Sequence, residues 1–232
     1  MRDSDWSNAM RARTVSTLVI PYITARQGEK PVPQEQLVIR GSGGRGGIQY
    51  RYENPRDRDL KRVLWARCSQ KLGGAPRWSE VHPARQRECM VGLRCQVCAR
   101  PADRTAAGYL FLAKARPGSS GLSAKSWEGR ATAQPPLCLA HARVAVEKYP
   151  HLAPRCVVLR VAAPRLYGVT GVLYQPVPGQ RQPRPVPGQD PERAQTVPYD
   201  DVRRLPWVLA SQLLRTLHGV TAVNPGSGSG AV

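Results

Sequence analysis

Phenylalanine occurs once in these 232 residues and histidine four times, and 16 acidic side chains face 35 basic ones. Each scarcity excludes something. No stretch approaches the ~18 consecutive apolar residues that a membrane-crossing helix needs, so a spanning segment is excluded. The glycine-rich stretch Gly41-Ser-Gly-Gly-Arg-Gly-Gly47 lacks the Gly-Lys-Ser/Thr ending that supplies charge and a magnesium ligand, which excludes a phosphate loop and leaves a hairpin connection. No histidine lies between Cys98 and Cys138, and Asp103 and Glu128 are the only carboxylates there. A nuclease with a histidine base on a zinc-finger hairpin therefore lacks its working parts. The opening Met1-Arg-Asp-Ser-Asp-Trp6 lacks the basic-then-apolar order of a secretory leader, so the expectation is a cytoplasmic protein with reduced thiols.

What is abundant points elsewhere. With 22 Pro and 21 Gly the chain favours turns and extended segments over long helices. The fold class expected is α+β and loop-rich, with small sheets, a central zinc unit and a C-terminal amphipathic helix. The formal charge is +19, and of the 35 basic residues 29 are Arg, a bias that GC-rich coding also produces. Location separates the two causes: residues 61 to 165 hold 19 Lys/Arg against 5 Asp/Glu, whereas residues 1 to 60 hold 10 against 7. A positive field centred on the middle of the chain attracts phosphates and weakens with salt.

That middle contains two ligand pairs, Cys95-Gln-Val-Cys98 and Cys138-Leu-Ala-His141, separated by 39 residues. Each presents two ligands from one turn, the way half of a tetrahedral zinc site is usually supplied. Cys95, Cys98, Cys138 and His141 are the expected ligands of a structural zinc ion. Cys156, fifteen positions after His141, competes for the fourth place, whereas Cys68 and Cys89 have no partner at ligand spacing. Arg85, Arg87, Arg94, Arg100, Arg104, Arg130 and Arg143 surround these pairs and are the expected phosphate contacts.

The chain reads as a flexible start (1–14), a β-rich part (15–92) with a helix over 83–92, the zinc unit (93–150), a pair of strands (151–174), a Pro-rich linker (175–198), a helix (199–219) and a disordered tail (220–232). Strands are expected at Leu37 to Arg40, Ile48 to Tyr52, Gly108 to Ala113, Cys156 to Val161 and Gly168 to Tyr174. Leu60 to Ala66 suits either a helical turn or a short buried strand. The last helix rests on Pro206 as its opener, Leu209, Leu213, Leu214 and Leu217 on one face, and His218-Gly219 as its end.

A knuckle, β-structure, then a helix bearing the last two ligands is an order that resembles a treble-clef zinc finger over residues 95 to 149. The wording Val81-His-Pro-Ala-Arg-Gln-Arg87, Leu93-Arg-Cys-Gln-Val-Cys-Ala-Arg-Pro-Ala-Asp-Arg104 and Pro135-Pro-Leu-Cys-Leu-Ala-His141 is similar to uncharacterised actinobacterial proteins, some from phage-like or accessory gene settings. That resemblance covers most of residues 15 to 220. It implies a zinc-binding bacterial protein and carries no activity across. Members often have Cys where His141 stands, which implies a ligand role at that position.

The function expected is therefore non-catalytic binding of nucleic acid with weak sequence preference, because phosphate contacts abound and no base-reading helix is evident. Two alternatives stay open. One is a protein-interaction scaffold that meets a partner or a second copy through the C-terminal helix. The other is an enzyme using His82 or His151, with Asp57 and Asp59 as a carboxylate pair.

Overall fold

The computed structural model describes residues 19–33, 36–41, 46–114, 123–148, 156–187 and 194–223. The expected flexible start, His151 and most of the expected tail lie outside them. Two short antiparallel ladders come first. One joins β1 (Thr24–Arg26) to β5 (Pro76–Val81), and the other joins β2 (Leu37–Arg40) to β3 (Gly47–Tyr50) across the glycine-rich connection. Between them in sequence, β4 (Leu64–Trp65) settles the ambiguous stretch as a strand, with Leu60 fully exposed before it.

Helix α1 (Pro83–Val91) follows, capped by the His82 side chain and by Gly92. Beyond it come β6 (Arg104–Thr105), β7 (Gly108–Lys114), β8 (Ala131–Thr132) and helix α2 (Leu139–Lys148). The chain ends in β9 (Cys156–Gln175), β10 (Arg184–Pro185), β11 (Gln195–Pro198) and β12 (Val208–Ala222). One eight-stranded sheet runs in the order β4-β12-β9-β7-β6, with β8 on β12 and both β10 and β11 on β9. The described chain is thus mostly β, not the α+β fold expected.

Three expectations fail for identifiable reasons. Residues 208–222 form no helix. After a single 3-10 turn at Leu205–Trp207 they run as β12, antiparallel to β9 and parallel to β4. The buried positions of β12 are Val208 and Ala210, then Leu213, Arg215 and Leu217, with Leu214 also buried. A bulge at Ser211 inserts one residue between paired Ala210 and Gln212, so the period of two slips and the spacing across it becomes three. Leu209, Leu213 and Leu217, four apart in the sequence, imitate a helical stripe, although Leu209 and Leu213 pack in different clusters. Second, the two strands expected over 156–174 are one continuous strand, for Pro164 sits within the ladder opposite Leu217 instead of ending it. Third, the supposed linker contributes β11, paired with β9 from Gly168 to Gly171.

Both faces of the sheet are covered, which is why the strands read as continuous apolar runs. On β7, Leu110 packs with Cys95, Leu137, Ala142 and Val158 on one side, while neighbouring Phe111 packs with Leu159, Val161 and Leu217 on the other. At the far end Trp65 joins Met90, Val169 and Val208 beneath α1, and Leu64 joins Leu37, Ile48 and Tyr50 beneath the β2–β3 hairpin. Gly108 opens β7 at φ 105°, with Val161's carbonyl oxygen 2.0 Å from where a Cβ would stand. Only glycine meets both demands.

Candidate metal centre

The knuckle at Cys95–Cys98 is closed by its own backbone: Cys95 N–H donates to Arg100 O at 2.7 Å and Ala99 N–H to Cys95 O at 2.8 Å, with Ala99 at φ 58°. Its flanks are tied on two sides. Tyr22 and Ile23 donate to Val97 O and Gln96 O, and Gln96 N–H donates to Pro136 O at 3.0 Å. The last of these sets the knuckle beside the second ligand pair. Leu137 N–H in turn donates to Leu110 O on β7, so Cys138 and the first turn of α2, which carries His141, are placed from the sheet.

The result is a cluster. One ligand atom from each of Cys95, Cys98, Cys138 and His141 lies within 4.8 Å of all the others. His141 Nδ1 stands 3.6 Å from Cys95 Sγ and 3.1 Å from Cys138 Sγ. For a zinc ion with ordinary Zn–S and Zn–N bonds, tetrahedral geometry requires S···N separations of about 3.6 Å and S···S of about 3.8 Å. The donor set therefore suits a four-coordinate divalent ion, with separations to be closed by no more than about 1 Å. Burial pushes the Cys95 thiol up to about 11, against the pull of the amides of Cys138, Cys98 and Val97, which point at its sulfur. Burial, followed by nearby Arg100, holds His141 below the ordinary histidine value, so the imidazole favours the neutral form that ligates.

The arginines expected to contact phosphate divide sharply. Arg94, Arg100, Arg104, Arg130 and Arg143 are exposed. Arg94 and Arg100 flank the knuckle, and Arg143 lies two residues past His141. Arg104 and Arg130 lean on the rings of Tyr109 and Trp127. Arg85 is withdrawn from this role: it is 1% exposed, and its guanidinium grips Glu29 at 2.6 and 2.9 Å while donating to Thr24 O. Arg87 is half-buried, 4.8 Å from the Trp65 ring, with one N–H on the carbonyl of Arg56 and one on that of Arg58.

Of the candidate acid–base groups, His82, Asp57 and Asp59 are engaged in structural bonds. His82 is wholly buried as the cap of α1, with Nε2 3.2 Å from Ser69 O, and burial and Arg85 hold it below its ordinary value. Asp57 forms a capping box with Asn54 and an ion pair with Arg67. Asp59 accepts from the amides of Lys61 and Val63, from Trp65 Nε1 and from the Tyr199 hydroxyl. The importance of Glu29 is invisible in the sequence, where it is one acid in a turn. Its partner Arg85 is 56 residues away. Cys156 pairs in the sheet with Lys114, and Cys89 is buried with its Sγ directed at Cys95 O. Among the described residues no helix is long and apolar enough to cross a membrane.

Against protein-family models, curated proteins and solved structures alike, the chain finds no match.

Proposed function

We propose that the cluster holds a structural zinc ion and that the protein binds nucleic acid without strong sequence preference, through arginines around that ion, doing no chemistry on it. The reading rests on one observation: a cluster of four possible protein ligands with the exposed Arg94, Arg100 and Arg143 close by in the sequence. Four protein ligands leave no open position for water or substrate, which suits a structural ion. A trithiolate site around a divalent ion carries net negative charge, and the same arginines offset it while presenting N–H donors to solvent. The treble-clef-like order of knuckle, hairpin and ligand-bearing helix belongs to the same reading. So does a bacterial cytoplasm, where thiolates stay reduced.

The test is a salt titration of binding to unrelated duplexes and single strands. Replacing Arg94, Arg100 and Arg143 together by Ser removes up to three phosphate contacts. The slope of log K against log salt should then flatten by about 2.7 on duplex DNA, at about 0.9 per contact. Equal loss of affinity across sequences supports the proposal. An unchanged slope, or no binding by the zinc-loaded wild type at low salt, refutes it.

A further inference from the structure

Away from the metal centre, a cleft of about 520 Å³ opens between α1, the turn at Asp59–Lys61 and the middle of the β9–β12 pair. Its wall is apolar and open to solvent: Leu60 is 100% exposed, Val91 57% and Leu166 50%. Its floor is built rather than accidental. Asp59 Oδ2 accepts from both Trp65 Nε1 at 3.2 Å and Tyr199 Oη at 2.9 Å, fixing two aromatic residues from opposite ends of the chain. Arg87 lies over the Trp65 ring with no carboxylate in ion-pair distance among the described residues.

The charges in the cleft are unbalanced. Its two carboxylates, Asp59 with four hydrogen bonds and Glu88 with the Tyr22 hydroxyl, leave one positive charge uncompensated among Arg56, Lys61 and Arg87. The cations Arg56, Lys61 and Arg87 make no ion pair with any described residue. A half-buried cation beside exposed aliphatic side chains is completed by an anion carried on an apolar body. Nucleic acid fits this poorly, because the Trp65 ring is 3% exposed and already covered by Arg87, leaving no stacking face for a base. A second copy of this chain, itself at +19, brings the wrong charge.

We propose that this cleft docks a segment of a protein partner that sets a bulky apolar side chain beside an aspartate or glutamate: the apolar group between Leu60, Val91 and Leu166, the carboxylate on Arg87 and the Arg56/Lys61 rim. This is independent of the metal centre and its arginines.

The experiment selects random peptides of about twelve residues on the full, zinc-loaded chain in excess heparin, which occupies purely electrostatic sites. Selected peptides are then measured by fluorescence anisotropy on the wild type and on an L60E/L166E variant, whose two exposed positions leave the fold intact by circular dichroism. Winners should pair an acidic with a large apolar residue, bind the variant at least about tenfold more weakly, and lose about as much when the acid is changed to its amide. The proposal is overturned if no peptide survives selection, if winners lack that pairing, if they bind wild type and variant alike, or if an oligonucleotide displaces them from the wild type.

Discussion

Replacing Glu29 by glutamine tests the buried ion pair that anchors α1. Arg85 and Glu29 face each other with side chains 1% and 0% exposed, bonded at 2.6 and 2.9 Å. Glu29 also accepts the amides of Arg26 at 2.7 Å and Lys71 at 3.0 Å, so all its partners are donors. Glutamine keeps the shape but turns one oxygen into an NH₂ aimed at those donors, and strands the guanidinium charge. Breaking a buried pair from one side costs about 3–5 kcal/mol. The titration of the carboxyl gives an independent figure. Burial alone would raise it, but Arg85 and the two amides outweigh burial and hold it at about 2. A depressed folded value means stabilisation that is complete above about pH 4.5 and is lost as pH falls towards about 2, worth about 3 kcal/mol in all. Urea unfolding of both proteins should therefore show E29Q less stable by about 3–5 kcal/mol at pH 7, with the gap closing as pH drops through that window. Acid effects common to both proteins, including metal loss, cancel in the difference. A deficit under about 1 kcal/mol at pH 7, or a gap that does not change with pH, refutes the account.

Three further outcomes follow from local geometry. Cys138→Ser removes a thiolate from the cluster, and the variant should lose its zinc during dialysis against a chelator that leaves the wild type loaded, as metal analysis would show. Gln86→Leu deprives the Leu213 amide and carbonyl, and the Ala133 carbonyl, of partners at 2.9, 3.0 and 2.7 Å. The cost should be about 2–4 kcal/mol in urea unfolding, and a neutral result would mean that water replaces them. Gly108→Ala meets Val161 O at 2.0 Å and a φ of 105° together, so it should destabilise by more than the ~1 kcal/mol of a typical point mutation and lower the thermal midpoint.

The Cys/His cluster is legible in the sequence because each half of it is local: two residues on one turn, three apart, declare themselves without any knowledge of what surrounds them. Strand β7 is legible because both its faces are covered and its run Tyr109 to Ala113 is apolar throughout. The C-terminal strand is not, since the bulge at Ser211 changes the phase on which periodicity depends, and the register against β9 shifts again between Leu214 and Arg215. Pro164 misleads for a related reason: a proline costs a strand only the hydrogen bond its missing N–H would have made. The arginines mislead most. Whether an Arg faces water or an acid is decided by a partner far along the chain, as with Arg85 and Glu29.

Helix α1 shows how those distant pairings add up. Its residues have no apolar stripe, yet Arg85, Gln86, Cys89 and Met90 are buried. A helix so polar is retained in the interior only if each buried group has a partner, and the partners lie in three different parts of the chain. Arg85 fastens the helix to the β1 region through Glu29 and Thr24 O. Gln86 fastens it to β12 at Leu213, three residues from paired Ala210 and just past the bulge. Arg215 reaches back from β12 to the carbonyls of Met90 and Val91, satisfying the helix end with a positive charge where the macrodipole favours one. At that same end Cys89 O accepts from Arg94 N–H at 2.8 Å and the Cys89 thiol points at Cys95 O, which carries the constraint into the metal knuckle. The bulge at Ser211 thus lies two residues before Leu213, the residue whose amide and carbonyl Gln86 bonds. The knuckle of the candidate metal centre is consequently tied to a helix whose buried polar groups find partners in three separate parts of the described chain.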